Sequence, residues 1–180
     1  MKIALMGKMR SGKDTVGEFL ECDRGFVGYA LADELKRMAK KAYPEMFYNG
    51  EKPRELLQNL GAHMRKFDED YWVNVLLSKI ADYNVVYVDT GKAVITDVRF
   101  PNEAEALKKE GFKIIRVASP EKDRFQRCIE AGDLHPEITS QHESETACDF
   151  VVPDATIVND GTIEELYAKV DQVMEVLNDI

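Results

Sequence analysis

The segment Gly7-Lys8-Met9-Arg10-Ser11-Gly12-Lys13 is the most informative stretch of this sequence. It fits the pattern G-x-x-x-x-G-K. It follows a short apolar run at residues 2–6, which predicts a buried strand. A helical pattern over residues 12–21 comes directly after it. A strand, a glycine-containing loop and a helix in this order are typical of a loop that binds nucleotide phosphates.

The residue types of this loop explain its chemistry. Glycines let the backbone curl so that successive N–H groups, here those of residues 10–15, face a phosphate. The start of the helix adds a favourable dipole, and Lys13 is expected to reach the β- and γ-phosphates. The expected nucleotide-binding residues of the loop are Gly7, Arg10, Ser11, Gly12, Lys13, Asp14 and Thr15.

One position departs from the common form of this loop. The residue after Lys13 is Asp14 rather than Ser or Thr, and Thr15 follows it. The hydroxyl that usually binds Mg²⁺ is therefore displaced by one position. Asp14 is a hard oxygen donor that can hold the metal directly or through water. Its alternative role is to complement the positive end of the helix dipole.

Length and charge limit the possible functions. A chain of 180 residues predicts a single domain over residues 1–180. Its formal charge of −9 argues against bulk electrostatic binding to a nucleic-acid polymer or to an anionic membrane. No apolar run approaches the roughly 20 residues of a membrane span. The three cysteines form no C-x-x-C pair, which favours reduced thiols in a cytoplasmic protein.

The class of phosphate-loop protein follows from what else the sequence contains. A GTPase would have an N-K-x-D base-recognition motif, and the sequence has none. The short chain and its well-spaced arginines instead favour a small phosphotransferase.

Strands and helices alternate along the chain. This predicts an α/β fold with a parallel β-sheet flanked by helices on both faces. The predicted strands are 2–6, 26–30, 85–89, 93–98, 112–118 and 155–159. The third and fourth form a hairpin, or the third belongs to an insertion that precedes a core strand. The predicted helices are 12–21, 31–42, 53–68, 70–81, 101–110, one from residue 121 capped by Ser119, and one after a Thr162/Glu165 capping box. Residues 43–53 and 131–154 are predicted to be irregular.

The predicted helix over residues 53–68 has two stripes. Its core stripe is formed by Leu57, Leu60, Met64 and Phe67. About a quarter turn away lies a polar stripe, in which Gly61 permits a close approach. The polar stripe consists of Arg54, Gln58, Gly61 and Arg65. On spacing alone, a solvated helix face is an equally open interpretation.

Several segments together resemble the bacteriophage deoxynucleoside monophosphate kinases, which are P-loop kinases. They are GKMRSGKDT (7–15), ALADELK (30–36), PRELLQNLG followed by Arg65 (53–65), YW (71–72), ITDVRFPNEAEAL (95–107), HESE (142–145) and NDGTIEEL (159–166). The resemblance implies transfer of the γ-phosphoryl group of ATP to a deoxynucleoside 5′-monophosphate. It also supports Asp14 and Thr15 as active-site residues, because GKD-T is the pattern of that family.

Two alternatives remain open at this point. The animal-type phosphomevalonate kinases share the GKD sequence and an HESE-like block, but the segment 95–107 favours the phage enzymes. A non-catalytic nucleotide-binding regulator is the alternative from another class. Such a regulator would not need a second set of arginines outside the loop.

The resemblance implies metal and acceptor roles for residues outside the loop. Asp97 is expected at the Mg²⁺ site, and its alternative is a strand-end turn acid. Arg99 is expected to bind the acceptor phosphate, and its alternative is a structural salt bridge. Acceptor-binding helices are expected at about residues 31–81. The substrate candidates are Asp33, Lys36, Arg54, Gln58, Arg65, Trp72, Arg99, His142 and Ser144, of which Trp72 is equally a core candidate.

A segment at about residues 120–149 resembles a short lid. Arg124 and Arg127 lie one turn apart in it and are expected to close over the transferring phosphates as catalytic cations. The alternative for both is a pair of surface cations. The Asn159-Asp160-Gly161 turn is expected to lie against adenine through backbone groups, and it also precedes a capped helix.

The expected cofactors are ATP and Mg²⁺, which the chemistry of a phosphate-binding loop requires. Zinc is not expected, because no Cys or His pair has the spacing of a structural zinc site. The expected substrate is a deoxynucleoside monophosphate whose base the sequence leaves open. The oligomeric state is also open, although similar enzymes often form homodimers. A phage-encoded enzyme of this kind would act in the host cytoplasm.

Overall fold

The computed structural model describes residues 1–50, 53–86, 91–133 and 143–178. Its strands are β1 (Lys2–Met6), β2 (Val27–Tyr29), β3 (Ala93–Val98), β4 (Phe112–Ala118) and β5 (Ala155–Val158). Its α-helices are α1 (Lys13–Arg24), α2 (Leu31–Ala42), α3 (Arg54–Phe67), α4 (Tyr71–Val86), α5 (Pro101–Lys109), α6 (Glu121–Glu130), α7 (Glu143–Thr146) and α8 (Ile163–Asn178). Short 3-10 helices span Pro44–Gly50 and Ala147–Phe150.

The described strands form one sheet with the order β2-β3-β1-β4-β5. β1 lies in its centre and pairs in parallel with β3 and β4, so that Ala4 lies opposite Ile95 on one side and Ile114 on the other. β4 pairs in parallel with β5. Residues 3–6 of β1 are completely buried, as expected for a central parallel strand covered on both faces.

Helices cover both faces of this sheet. On one face, α1 and α8 contribute Val16, Leu20, Leu166 and Val170 to a core cluster that includes Ile3 and Leu5 of β1. The neighbouring residues Ala4 and Met6 point to the opposite face because side chains alternate along a strand. α5 packs against β4, and its residues Ala104 and Leu107 are buried. The predicted α/β fold is therefore confirmed.

Backbone contacts divide the chain into two compact units. Unit 1 comprises residues 1–28 and 90–180 and contains β1, β3, β4 and β5. Unit 2 comprises residues 29–89 and contains α2, α3 and α4. Within unit 2, Gly61 is the point of close approach predicted from the sequence, since a Cβ there would lie 3.3 Å from Leu35 of α2. The single domain over residues 1–180 stays a prediction.

Four local predictions were wrong. The predicted loop over residues 43–53 contains a 3-10 helix, Pro44–Gly50. Residues 85 and 86 of the predicted strand 85–89 belong to α4, and residues 87–89 lie outside the described residues. The predicted irregular segment 131–154 contains α7 and a 3-10 helix. Its residues 134–142 lie outside the described residues. Phe67 does not join the core stripe, because 79% of it is exposed.

The two predicted helix caps had opposite outcomes. The Thr162/Glu165 capping box is confirmed, since the Thr162 N–H donates to Glu165 Oε2 at 2.9 Å and the Glu165 N–H donates to Thr162 Oγ1 at 3.3 Å. Ser119 does not cap α6, which begins after Pro120 without a side-chain cap. Its hydroxyl instead accepts a hydrogen bond from Arg127 at 3.0 Å. Among the described residues, no helix combines the length and apolar character that crossing a membrane requires.

Candidate functional site

The glycine-containing loop at residues 7–13, the P-loop below, follows the carboxyl end of the central strand β1. Gly7 is needed there for space. A Cβ at this position would collide with the Val117 carbonyl oxygen of the neighbouring strand β4 and with Ser11 Oγ. The loop therefore runs tightly against the sheet before it turns into α1.

The start of α1 leaves backbone donors available to an anion. Gly12 caps the helix with φ +99°, in the left-handed region, and no side chain bonds the cap. The Val16 N–H donates to the Gly12 carbonyl at 3.0 Å, and the preceding N–H groups have no helical acceptor, as at any helix start. Such donors, aligned with the helix dipole, attract phosphate.

Two side chains of the P-loop add to this anion site. Lys13 is only 6% exposed, and its Nζ lies 3.6 Å from Asp14 Oδ1, whose own side chain points to solvent. Ser11 Oγ is buried and has no hydrogen-bond partner among the described residues. A buried hydroxyl without a partner is costly unless a ligand completes it. Both features fit a bound phosphate.

Side chains from elements distant in sequence donate to backbone carbonyls of the P-loop. Asn159 Nδ2, at the end of β5, donates to the Ser11 carbonyl at 2.9 Å. Arg127 Nη1 of α6 donates to the Arg10 carbonyl at 3.0 Å. Arg124 Nη1, from the same helix, makes a weaker contact of 3.5 Å with the Met9 carbonyl. The Ser11 N–H donates to the Lys8 carbonyl at 3.1 Å, so the loop is held by its own backbone as well as by these side chains.

The backbone at Arg10 needs this support. Arg10 has φ 60°, the one positive value that the described non-glycine residues show. Its guanidinium donates to Asp133 Oδ2 at 2.7 Å, and this hydrogen bond raises the pKa of Arg10 above its ordinary value. Arg10 is thus fixed at both its side chain and its carbonyl. Its predicted contact with nucleotide stays a prediction.

The predicted acceptor arginine lies close to the P-loop. Arg99 follows β3 directly, and its Nη1 forms a salt bridge with Glu145 Oε1 of α7. The other oxygen of Glu145 accepts the Met9 N–H at 2.5 Å. The salt-bridge alternative for Arg99 is therefore realised. Its guanidinium side chain is still partly exposed, so it remains reachable by an anion.

Asp97 is half-buried and lies in β3, the strand next to β1, which the P-loop follows. Among the described residues, no group of three or more His, Cys, Asp or Glu side chains is placed to hold a metal ion. Mg²⁺ at a nucleotide site needs no such group, because it keeps several waters and takes phosphate oxygens with one or two protein oxygens. Asp14, Thr15 and Asp97 carry oxygen donors of that kind, and their role as Mg²⁺ ligands stays a prediction.

The substrate candidates of unit 2 have mixed surroundings. Trp72 is 4% exposed, and its indole N–H donates to the Gly61 carbonyl at 3.2 Å, as the core interpretation predicts. Lys36 pairs with Asp33 at 3.3 Å on the surface of α2. In α3, Arg54 and Gln58 are exposed and Arg65 is half-buried.

The remaining candidates lie near the end of the chain. Asp160 pairs with Lys169 at 2.7 Å, which lowers the pKa of Asp160. Gly161 lies beside the Glu165 side chain of the capping box. Ser144 lies in α7, whereas His142 lies outside the described residues. The expected backbone contacts of residues 159–161 with adenine stay a prediction.

Sequence reasoning did not predict three of the side-chain contacts that shape the site. The side-chain role of Asn159, the carboxylate of Glu145 and the carboxylate of Asp133 all act on the P-loop from more than 100 positions away. The HESE block at residues 142–145 pointed towards Glu145 without showing which of its residues mattered.

Comparison with known proteins assigns the family. The sequence profile of the deoxynucleotide monophosphate kinases matches residues 2–53 and 51–170. The chain belongs to this family. The deoxynucleotide monophosphate kinase of Escherichia phage RB69 is 30% identical over 67% of this chain, which spans 44% of that enzyme. A protein of Acanthamoeba polyphaga mimivirus, provisionally named for the same activity, is 29% identical over 93% of both chains.

Solved structures confirm the fold of this deoxynucleotide monophosphate kinase family member. TT1252 from Thermus thermophilus superposes with a TM-score of 0.60 at 19% identity, over 98% of this chain and 97% of that one. Dephospho-CoA kinase from Campylobacter jejuni gives 0.56 at 15% identity, over 98% of both chains. These likenesses show that the chain shares its fold with both proteins.

Proposed function

We propose that this chain transfers the γ-phosphoryl group of ATP to a deoxynucleoside 5′-monophosphate, giving ADP and the deoxynucleoside diphosphate. The observation that supports this most is the family match over residues 2–170, combined with a P-loop at the end of the central strand. The match also favours a nucleotide acceptor over phosphomevalonate. The RB69 relative comes from a phage, so we extend the proposal to DNA-precursor synthesis in a host cytoplasm.

The residues of the P-loop fit the phosphates of ATP. The first N–H groups of α1, the partnerless Ser11 hydroxyl and the buried Lys13 ammonium offer hydrogen bonds and positive charge to one anion. Asp14, Thr15 and Asp97 are the oxygen donors proposed for Mg²⁺, which supplies charge neutralisation on the β- and γ-phosphates when bound.

Arg99 is the residue proposed to bind the acceptor phosphate. Its guanidinium fork can bind two phosphate oxygens at once, and it lies beside the Met9 amide of the P-loop through their shared partner Glu145. Arg54, Gln58, Arg65, Asp33 and Lys36 remain candidates for other parts of the acceptor.

The proposed reaction needs no strong base. An oxygen of the acceptor phosphate, already anionic, attacks the γ-phosphorus in line while the bond to the β,γ-bridging oxygen breaks, and ADP leaves with that electron pair. Protein side chains then contribute position and charge neutralisation. Lys13 is expected to stabilise the negative charge on the β,γ-bridging oxygen as ADP leaves.

The test is an assay of ADP release over a panel of deoxynucleoside monophosphates, with phosphomevalonate as the alternative acceptor. We expect turnover with at least one deoxynucleotide and none with phosphomevalonate. Lys13→Met should lower kcat at least about 100-fold, since it removes a charge-assisted contact to the reacting phosphates, while far-UV circular dichroism stays unchanged. Turnover of phosphomevalonate alone would refute the proposal, and ATP binding without any turnover would favour the regulator.

A further inference from the structure

Glu145 is a buried carboxylate that the proposed reaction does not use. It is 4% exposed, and its two oxygens serve two different donors: Oε1 accepts from the Arg99 guanidinium, and Oε2 accepts the Met9 N–H of the P-loop. A buried carboxylate is costly unless both of its oxygens are satisfied by charge or hydrogen bonds. Here one side chain joins the candidate acceptor arginine to the candidate ATP loop.

The segment that holds Glu145 is fixed independently of these two contacts. The Cys148 thiol donates to the Glu145 carbonyl at 3.3 Å, and Arg116 of β4 donates to the Cys148 carbonyl at 3.0 Å. The P-loop residue Lys8 pairs with Asp149 at 2.8 Å. Glu145 is therefore held against the P-loop by its own backbone surroundings, and its carboxylate can impose a position on Arg99.

We propose that Glu145 is a positioning residue that locks the Arg99 guanidinium to the P-loop at Met9, so that the acceptor phosphate is presented to the γ-phosphate of ATP in line. An arginine side chain loses rotamer entropy when it binds an anion. A salt bridge that already restricts the side chain reduces that loss at the moment of binding. The proposal rests on the proposed function for the identity of the two phosphates.

The geometry makes glutamine an informative substitution. A carboxylate has two acceptor oxygens, whereas a glutamine amide has one acceptor and one NH₂ donor. In Glu145→Gln, the NH₂ group would face either the Met9 N–H or the Arg99 guanidinium, and both of these are donors. Whichever way the amide turns, one of the two links must break.

Glu103 provides a matched control in the same part of the chain. It is 5% exposed, and one of its oxygens, Oε2, accepts both the Arg99 N–H at 2.9 Å and the Phe100 N–H at 3.0 Å. In Glu103→Gln the remaining carbonyl oxygen can keep both of these bonds. The two variants therefore make the same chemical change at similar burial, but only Glu145→Gln separates Arg99 from the P-loop.

The experiment compares wild type, Glu145→Gln and Glu103→Gln in two ways. Without substrates, NMR measures hydrogen exchange at the Met9 N–H and at the Arg99 Nη–H groups, which are the donors to Glu145. With substrates, steady-state kinetics give kcat and KM for the deoxynucleotide, and titration gives the Kd of a non-hydrolysable ATP analogue.

For Glu145→Gln we expect faster exchange at one of the two sites and a kcat/KM for the deoxynucleotide that is lower by about tenfold or more. The Kd of the ATP analogue should stay within about threefold of wild type, because the N–H groups of residues 10–15 are intact.

The two proposals can fail separately. Unchanged exchange at both sites in Glu145→Gln, or equal effects of the two variants on exchange and on kcat/KM, would overturn the positioning role. A kinetic loss confined to the KM for ATP would overturn it as well. If wild type turns over no deoxynucleotide, the proposed function fails, and the exchange data alone then decide whether Glu145 links Arg99 to the P-loop.

Discussion

Asn159 and Ser11 are separated by 148 positions in the chain, yet the Asn159 amide donates to the Ser11 carbonyl at 2.9 Å in the interior of unit 1. The Asn159 N–H itself donates to the Ala118 carbonyl at 2.7 Å, so the residue is fixed to β4 as well. The end of β5 thereby sets the conformation of the P-loop.

Asn159→Ala should destabilise the protein by about 1–3 kcal/mol, because the Ser11 carbonyl would lose its side-chain partner in a buried place. Urea unfolding followed by circular dichroism measures this change. The same variant should weaken binding of an ATP analogue, since the P-loop is no longer held. Asn178→Ala, at an exposed position near the end of α8, is the matched control and should stay within about 0.5 kcal/mol of wild type.

Gly12→Ala should cost more than its backbone conformation alone explains. At φ +99° an alanine is strained, and its Cβ would also collide with the Asn159 amide nitrogen. Gly25 is also left-handed, with φ +71°, but nothing lies within 4 Å of an added Cβ. Gly25→Ala should therefore lower the free energy of unfolding by about 1–2 kcal/mol. Gly12→Ala should lower it by about 1–3 kcal/mol more than Gly25→Ala does, as measured by urea unfolding.

A double variant isolates the collision. Combining Gly12→Ala with Asn159→Ala removes the atom that the new Cβ would strike. The double variant should therefore lose less free energy of unfolding than the two single variants lose in total. Additive costs would mean that the Asn159 amide does not press on Gly12.

Trp72 should behave as a core residue rather than as a platform for a base. Its indole is buried and bonded to the Gly61 carbonyl. We expect native fluorescence that acrylamide quenches weakly and that saturating deoxynucleotide leaves almost unchanged. Trp72→Phe, which removes only the indole N–H bond and some volume, should lower stability by about 1–3 kcal/mol. Strong, saturable quenching by a deoxynucleotide would restore the stacking interpretation.

Local features of this chain could be predicted from the sequence, whereas long-range contacts could not. The Thr162/Glu165 capping box joins residues three positions apart, and β1 with its P-loop is one continuous segment. The contacts Asn159–Ser11 and Glu145–Met9 span 148 and 136 positions, and no periodicity encodes such pairs. The errors at residues 43–53 and at residues 85–86 share a cause, since segments this short suit more than one type of secondary structure.

The arginines of α6 show the same limit. Sequence spacing places Arg124 and Arg127 on one face, and the resemblance predicts that they close over the phosphates. In the structure, both donate to backbone carbonyls of the P-loop, and their closure over the phosphates stays a prediction. The residue type was informative, because a guanidinium fork suits carbonyl and phosphate oxygens alike.

Arg127 is the residue at which these two roles can be separated. If Arg127 supports the P-loop, Arg127→Ala should raise the KM for ATP roughly three- to tenfold and leave kcat little changed. A rise of this size is what the loss of one hydrogen bond to a backbone carbonyl produces. Ser119→Ala is the matched control, because it removes the other acceptor of the same nitrogen and leaves the Arg10 carbonyl contact in place. A fall in kcat of about 100-fold or more at unchanged KM for ATP would instead be the signature of a cation that acts on the transition state. Steady-state kinetics with ATP varied at saturating deoxynucleotide therefore distinguish a support of the loop from a lid.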